Sequence, residues 1–513
     1  MRNQSRNRNE EIFSVLLLIS LINLLIYFLS VSFINYGFSG DELYYIACAN
    51  RLDFGYVDNP PLSIWIFGLW KFLLGDSLFV IRILPAIISS ATVFMIGLFT
   101  VRLGGGKNSV IIATLTFMLS PIFLGVSTIY SMNVLDFFFW ILSAFIFLCI
   151  IDSDNKKLWY TLGIVIGVGL LNKTSMLWLN AGIFVGTVFT PMREDLKTKY
   201  PYIAAGIAVL IFSPYIIWNI IHDFAHIEFI KSAAFERYGG VSPVSYVFDL
   251  LLILNPVSSI VWIAGVLFYF FNKNVRQYRA LGYIWLVTLS VLFINWYSKG
   301  EYIAPSFQIL FAGGAIMIVK WNAKRRRLKY ALVIPVLVLG ILLAPLAHPF
   351  LPVNKFKGYQ SLLGINTAGG EKRGVEKLSH FCDDMFGWND MARKISKVYL
   401  SIPREKRGNT VVYCRNSYEA AAIEYFKSKY DLPDVVCPHN SYWYWWNGTK
   451  EADTVIIIGG NLDDLLKSFE TVEVAGYYKT RYAMPCENNL IIYTAKGFKK
   501  SLKEIKQSNK IFI

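Results

Sequence analysis

The sequence predicts a polytopic α-helical membrane protein of about 11 spans, followed by a C-terminal α/β domain outside the membrane. Hydrophobic residues make up 55% of the 513 residues and aromatic residues 16%, which is typical of a chain with many membrane helices. Lysine and arginine lie in short clusters between the apolar runs, as they do in cytoplasmic loops. Membrane topology therefore explains the formal charge of +15, and no nucleic-acid partner is expected.

Eleven apolar runs are each close to the ~20 residues that a membrane helix needs. We predict spans at 12–35, 79–101, 109–125, 133–151, 158–172, 174–190, 202–221, 246–271, 279–296, 304–320 and 330–348. The basic clusters put alternate connections on the cytoplasmic side, so the remaining connections share the opposite side. Pro61–Gly75 is apolar but short and contains Lys71, which favours an interfacial or re-entrant helix over a further span.

The composition divides the chain near residue 350. Residues 1–349 form the predicted transmembrane domain, with a first outer loop at 36–78, and 350–513 form the predicted extracytoplasmic domain. The segments NTVVY, DTVIII and NLIIYTA read as strands, and the helical stretch YEAAAIEYFKSKY lies between NTVVY and PDVVC. This order indicates a βαβ arrangement within a small α/β domain.

The first outer loop carries an unusual group of acidic residues in the stretch GDELYYIACANRLDFGYVDNPPL. Asp41 and Glu42 are adjacent, and Asp58 stands just before Asn59 and two prolines. A carboxylate at a membrane surface can take a proton from an attacking hydroxyl, which makes these residues candidate catalytic groups. Acids at a helix start are also common N-terminal caps, and Asp58 fits an ordinary turn, so both interpretations stay open.

Several basic and aromatic residues lie in the same set of connections. Lys173 stands at the mouth of two spans, Arg82 opens the second span, and Arg237 lies in a long outer loop. Together with Lys299 and Tyr302 they could bind a lipid phosphate. The alternatives are snorkelling, headgroup anchoring and an interfacial aromatic belt.

A metal site is a further candidate. His222 and His226 lie four residues apart, on one face of a helix, and with Asp58 they could bind a divalent cation. Histidines in loops are more often not ligands. No cofactor is required by the sequence, and a divalent cation is left open.

The sequence resembles the membrane glycosyltransferases of family 39, which belong to the GT-C superfamily and include protein O-mannosyltransferases and lipid A aminoarabinose transferases. The resemblance rests on GDELYY, VDNPPLSIW, RILPAIISS, LLNKTSM, IIWNIIHDFAHIEF and GEYIAPSFQILFAGGA. It implies an inverting enzyme of the GT-C type that uses a polyprenyl-phosphate sugar on the extracytoplasmic face. The segments CRNSYEAAAIEYF, HNSYWYW and ENNLIIYTAKG are similar to bacterial members with an appended soluble domain.

The resemblance also implies roles for individual residues. Asp41 matches the family's catalytic acid in the first outer loop, and Asp136 matches the acid of the second. Lys173 and Tyr302 match residues that contact the lipid phosphate in the aminoarabinose branch.

The metal site that the resemblance implies would use the acid before the proline, here Asp58, together with His226. This chain departs from the family pattern because Asn59 stands where His or Lys usually precedes the proline. That departure puts the metal and part of the donor contact in doubt.

These observations predict a multi-pass cell-membrane glycosyltransferase with its active site on the extracytoplasmic side. Its partners would be a polyprenyl-phosphate-linked sugar donor, the lipid bilayer and an acceptor that is a protein, a lipid or a glycan. The alternative is a transporter or flippase of lipid-linked or small substrates. Such a protein would show inverted repeats and acids near mid-membrane, whereas here the acids cluster at one face.

Overall fold

The computed structural model describes residues 2–33, 36–235, 243–294, 300–321, 328–363, 383–446, 452–500 and 502–513. The part before residue 350 is helical. Its described α-helices are α1 (Arg2–Phe33), α2 (Gly40–Ala49), α3 (Leu62–Leu74), α4 (Leu78–Arg102), α5 (Lys107–Met118), α6 (Pro121–Val126), α7 (Met132–Ile151), α8 (Leu158–Asn172), α9 (Met176–Val188), α10 (Tyr200–Ile221), α11 (Ala225–Ala233), α12 (Pro243–Ile253), α13 (Ser259–Phe271), α14 (Arg279–Ile294), α15 (Ala304–Trp321) and α16 (Leu328–Ala347).

Six helices among the described residues are long and apolar enough to cross a membrane, and a bent pair makes up to seven. Four further apolar helices of 10–17 residues, in α3, α8, α9 and α16, are shorter than this test requires. Each predicted span coincides with one helix or with a broken pair, so the predicted helical membrane fold is confirmed and the number of spans is approximate.

Two predicted spans are broken by proline. The run predicted at 246–271 divides into α12 and α13, which are bent by 97°. Asn255 at the break adopts a φ of 68°, and Pro256 lacks the amide that a continuous helix needs. The run predicted at 109–125 breaks in the same way at Pro121, the first residue of α6. Each of these two predicted spans is therefore a broken pair of helices.

Glycines bring some of the helices into close contact. A Cβ on Gly314 of α15 would lie 1.8 Å from the carbonyl oxygen of Val261 in α13, and one on Gly163 of α8 would lie 2.4 Å from that of Ala204 in α10. Only glycine fits at such positions, because its backbone can touch the backbone of the next helix. These contacts hold the helices of the bundle side by side.

One set of connections gathers at one end of the bundle. Arg102, at the end of α4, pairs with Asp152 at 3.1 Å, and the hydroxyl of Tyr278 donates to the same carboxylate at 2.9 Å. Lys156 pairs with Asp195 at 2.6 Å. These residues belong to connections that the charge pattern predicts on the cytoplasmic side, so the structure groups them as the sequence predicts.

The C-terminal part adds a mixed sheet. Its described helices are α17 (Val353–Leu362), α18 (Trp388–Ser401), α19 (Arg404–Arg407), α20 (Ser417–Tyr425), α21 (Lys427–Tyr430), α22 (Ser441–Trp445), α23 (Leu462–Ser468) and α24 (Leu502–Ser508). Its strands are β1 (Thr410–Tyr413), β2 (Asp434–Val436), β3 (Thr454–Ile458), β4 (Phe469–Tyr478) and β5 (Leu490–Phe498), in the order β2-β1-β3-β5-β4.

The sheet confirms the predicted βαβ unit. β1 pairs in parallel with β2, and α20 connects the two strands. β3 pairs in parallel with β1 and antiparallel with β5, and all five of its residues are buried, as expected for a central strand. The carboxyl end of β1 leads into α20, and α20 packs directly on α2 of the first outer loop. The domain boundary near residue 350 stays a prediction.

Candidate functional site

The first turn of α2 is fixed by its own capping residues. Ser39 is the N-cap, and its hydroxyl accepts a hydrogen bond from the amide of Asp41. The carboxylate of Glu42 accepts one from the amide of Ser39 at 3.0 Å, which completes a capping box. The local sequence SGDE therefore starts the helix at Gly40 and defines the directions in which the two neighbouring acids point.

Glu42 forms a buried ion pair with Arg82 of α4. The guanidinium donates from Nε to Oε1 at 3.0 Å and from Nη2 to Oε2 at 2.9 Å, and Nη2 also donates to the carbonyl of Gly37 at 2.7 Å. The side chain of Glu42 is 0% exposed and that of Arg82 is 3% exposed. Both charges are buried away from solvent and neutralise each other. The pair therefore fixes α2 on the membrane helices.

Asp41 points in a different direction, because adjacent residues lie about 100° apart around a helix. It is partly exposed, and the hydroxyl of Tyr418 in α20 donates to its Oδ1 at 2.6 Å. Its Oδ2 accepts no hydrogen bond from the described residues. One oxygen of this carboxylate is therefore held by the C-terminal domain, and the other is open.

The C-terminal domain also caps α2 from outside. Asp384 Oδ2 accepts hydrogen bonds from Ser39 Oγ and, at 2.9 Å, from the amide of Gly40. The pKa of Asp384 is raised to about 7, mainly by burial and in part by the nearby charges of Asp41 and Glu42, against the opposing effect of the hydrogen bonds from Ser39 and Gly40. Three carboxyl groups from two domains therefore surround a single helix N-terminus.

Asp58 lies on the other flank of α2. The hydroxyl of Tyr44 donates to Asp58 Oδ1 at 3.0 Å and accepts from the amide of Ser441 at 3.3 Å. The amide of Val57 donates to Ser441 Oγ at 3.2 Å. The loop before the two prolines is therefore tied both to α2 and to the C-terminal domain.

The predicted metal ligands lie near each other but supply few donors. His226 Nδ1 donates to the carbonyl of Val57 at 3.0 Å, next to Asp58, and burial lowers the pKa of this histidine. His222 stacks on Trp218 instead, with ring centroids 4.0 Å apart. No group of three His, Cys, Asp or Glu side chains that could hold a metal occurs in the part of the chain that the structure describes. Since protein metal sites use three or four ligands, the metal stays a prediction and no chemical step is derived from it.

A second polar cluster lies at the start of α7. Asp136 is 1% exposed, accepts from Ser175 Oγ at 2.7 Å and pairs with Lys173 at 3.7 Å. Lys173 Nζ donates to Asn133 Oδ1 at 2.6 Å and lies 5.4 Å from the ring centroid of Tyr302. The three residues predicted from separate connections, Asp136, Lys173 and Tyr302, therefore meet at one place.

Tyr45 connects the two clusters. It is on α2, one turn after Asp41, and its hydroxyl accepts a hydrogen bond from the amide of Met132 at 2.9 Å. Met132 is the residue before Asn133, which holds Lys173. Burial raises the pKa of Tyr45, and the charges of Asp58 and Asp41 act in the same direction. The acids of the first outer loop and the lysine cluster therefore share one end of the bundle.

A cleft of about 500 Å³ lies beside this site, between α2 and the C-terminal domain. Its walls include Leu43 and Ala47 of α2 and Ala421 and Tyr425 of α20, and Asp76 is among its polar residues. Its size is in the range of small-ligand sites.

Two of the predicted site residues, Arg237 and Lys299, lie outside the described residues. Sequence reasoning missed several others that the structure brings to the site: Asn133, Tyr45, Tyr418 and Asp384. Tyr45 lies within the motif GDELYY, which the sequence already marks, and Asn133 lies three residues before the predicted site residue Asp136. Nothing local in the sequence indicates that Tyr418 and Asp384 reach α2, because both contacts depend on how the two domains pack.

Comparisons with known sequences support an enzyme fold. Residues 58–218 match the family model described as dolichyl-phosphate-mannose-protein mannosyltransferase. Over 184 residues the chain is 24% identical to the lipid A galacturonosyltransferase RgtD of Rhizobium johnstonii. This match spans 36% of the chain and 38% of that relative's length.

Solved structures extend the likeness to nearly the whole chain. ArnT of Cupriavidus metallidurans bound to undecaprenyl phosphate aligns with a TM-score of 0.60 at 10% identity, covering 93% of this chain and 97% of ArnT. AglB of Archaeoglobus fulgidus, in complex with an inhibitory peptide and a dolichol phosphate, aligns with a TM-score of 0.50 at 13% identity, covering 88% and 69%. The alignment with these structures shows that the chain has the GT-C fold, so the predicted fold class and the predicted membrane protein are confirmed.

The buried pair predicts a large stability effect for Glu42→Gln. This change leaves the Arg82 guanidinium buried without its counter-charge, which costs about 3–5 kcal/mol. We expect the full chain in detergent to unfold at a clearly lower temperature, measured by intrinsic fluorescence.

Glu194→Gln is the matched control, because Glu194 pairs with Lys197 on the surface and both side chains are more than half exposed. It should change the unfolding temperature little. Equal effects of the two substitutions would contradict the importance of the buried pair.

Asp384→Asn tests the raised pKa at the α2 cap. Between about pH 4 and pH 7 the folded chain keeps a proton on Asp384 that the unfolded chain has released, so this carboxyl lowers stability as pH rises. Asn can accept the same hydrogen bonds without titrating. The variant's stability relative to the parent should therefore increase from about pH 5 to about pH 7.5, measured as unfolding temperature. Asp463→Asn is the control, because Asp463 is an exposed carboxyl of the same domain. The same pH-dependent gain in stability in this variant would rule out Asp384 as the source of the effect.

Proposed function

We propose that this protein is an integral-membrane glycosyltransferase that transfers a sugar from a polyprenyl-phosphate donor to an extracytoplasmic acceptor. The observation that carries the proposal is the meeting, at one end of the bundle, of a half-open carboxylate and a lysine. Asp41 supplies the carboxylate and Lys173 the cation, and Tyr45 connects their surroundings. Transfer of a glycosyl group away from a phosphate needs both a base and a positive charge.

The donor phosphate is assigned to Lys173. Its ammonium lies between Asn133 Oδ1, Asp136 and the ring of Tyr302, and its side chain is 15% exposed, so the charge is held in place yet reachable. A phosphate that loses its sugar gains negative charge, which a fixed ammonium in a site with little water stabilises. Asp136 touches Lys173 from the buried side and holds it in this position.

The acceptor is assigned to Asp41. Its free Oδ2 would take the proton of the acceptor hydroxyl while that oxygen forms a bond to the anomeric carbon. The bond from the anomeric carbon to the phosphate oxygen breaks at the same time, and its electron pair leaves with the polyprenyl phosphate. Attack opposite the leaving phosphate inverts the configuration of the sugar.

The remaining predicted residues of the first outer loop are assigned to holding the site. Glu42 and Arg82 fix α2 through their buried pair and are too enclosed to meet a substrate. Asp58 ties the loop to α2 through Tyr44. The Arg82 and Glu42 roles predicted from sequence, in substrate binding and catalysis, are thus replaced in this proposal by positioning roles.

The sidedness and the class of donor rest on further support. The basic clusters near Arg102 and Lys156 support a cytoplasmic assignment of the other end of the bundle, and we therefore propose that Asp41 and Lys173 lie on the extracytoplasmic side. ArnT is bound to undecaprenyl phosphate and AglB to a dolichol phosphate, so a polyprenyl phosphate is the carrier that we propose here.

Asp41→Asn tests the proposal directly. Membranes containing the full chain would be given undecaprenyl phosphate loaded with labelled mannose, galacturonic acid or aminoarabinose, plus extracted envelope lipids, glycans and proteins. We expect one donor to be discharged to an acceptor and the substitution to lower that rate by about 100-fold or more, because the general base is lost. Thermal unfolding of the variant shows whether it is folded.

Asp53→Asn is the matched control, since Asp53 lies in the same loop and its carboxylate accepts hydrogen bonds from the Trp218 indole at 3.0 Å and from the amide of Phe54 at 2.7 Å. It should retain the parent rate. Parent-like transfer by the folded Asp41→Asn variant would contradict the assignment. Movement of the intact donor across vesicles without any transfer would instead support a flippase.

A further inference from the structure

We propose that Tyr418, supplied by the C-terminal domain, positions the carboxylate of Asp41 for the transfer reaction. The inference rests on the proposed function, because it assigns Tyr418 a role in that same site. Its basis is the hydrogen bond of 2.6 Å from the Tyr418 hydroxyl to Asp41 Oδ1. The site on the membrane domain is therefore completed by a residue 377 positions away in the chain.

The hydrogen bond gives the two carboxylate oxygens of Asp41 different roles. Oδ1 accepts from the phenol, so the carboxylate plane cannot rotate freely about its own bond. Oδ2 is left to face the acceptor. A short bond between a neutral phenol and a carboxylate is a charge-assisted hydrogen bond, which is stronger than an ordinary one.

Tyr418 is itself held in a fixed position. Its side chain packs against Gly40, where an added Cβ would be 2.7 Å from the ring Cγ. Asn416 caps the helix that carries it, accepting from the amide of Tyr418 at 3.1 Å. The ring of Trp388 lies edge-on to it at 6.5 Å. The absence of a side chain at Gly40, directly before Asp41, is what allows this close approach.

The hydroxyl contributes to docking only as one contact among several. Arg51 of the outer loop pairs with Glu424 at 2.8 Å and stacks over Trp445 at 4.7 Å, and Asp384 caps α2. Removing a single hydroxyl should leave the domain docked. The specific place of the bond, on the carboxylate rather than on a backbone group, is what points to positioning.

Tyr418→Phe in the full chain tests the inference, using the undecaprenyl-phosphate sugar that the parent discharges. We expect kcat to fall about 10-fold while KM for the donor stays unchanged, because the lost bond is to a charged group that acts in the chemical step. Tyr478→Phe is the matched control. It removes a hydroxyl from the same domain that donates at 2.9 Å to the backbone of Gly387.

Loss of packing alone would lower the kcat of both variants to a similar extent, whereas loss of positioning would lower only the kcat of Tyr418→Phe. A kcat for Tyr418→Phe within twofold of Tyr478→Phe, with Asp41→Asn inactive, would overturn this inference and leave the proposed function intact. Full transfer by Asp41→Asn would overturn both.

A stability cycle tests the hydrogen bond without any activity. Asp41→Asn and Tyr418→Phe disturb the same bond, so their effects on the unfolding free energy should be clearly non-additive. Asp41→Asn combined with Tyr478→Phe should be additive. Additive effects in both pairs would show that the bond does not form in solution, and the positioning role would then be wrong.

Discussion

The buried ion pair between Glu42 and Arg82 sets the position of α2, and the rest of the site is placed relative to that helix. Two charges with 0% and 3% exposure are expensive to remove from water, and their bidentate contact, together with the hydrogen bonds to Gly37 and Ser39, offsets that cost. The pair therefore tolerates one geometry. It fixes the rotation of α2 about its axis, which decides where Asp41 and Tyr45 point.

α2 in turn joins two bodies that the chain builds separately. On the membrane side Tyr45 reaches Met132 and the Lys173 cluster, and on the outer side Tyr418 and Asp384 close over its N-terminus. Carboxylates that look alike in sequence are thus divided among three environments: a sealed ion pair, a half-open hydrogen bond, and a cap with a raised pKa. The division of roles follows from these surroundings.

Much of the fold follows from the sequence, because apolar runs indicate membrane helices and basic clusters indicate which connections lie on the same side. The helices, the βαβ order and the meeting of Asp136, Lys173 and Tyr302 were all predictable. The separation of Asp41 from Glu42 was not, since it depends on Arg82 lying on one side of α2 and Tyr418 on the other. Contacts between distant segments leave little local signal. The bend before Pro256 does have a local signal, the proline itself, but this proline lies inside a continuous apolar run that predicts a span.

The central claim is that the lipid phosphate binds at the end of the helix bundle that carries the Asp41 carboxylate. A cryo-electron microscopy map of the full chain in nanodiscs with undecaprenyl phosphate measures this most directly. The account predicts phosphate density in contact with the ammonium of Lys173, on the side of the bundle that carries Asp41. Phosphate bound instead at the opposite helix ends, beside Arg102 and Lys156, would contradict it.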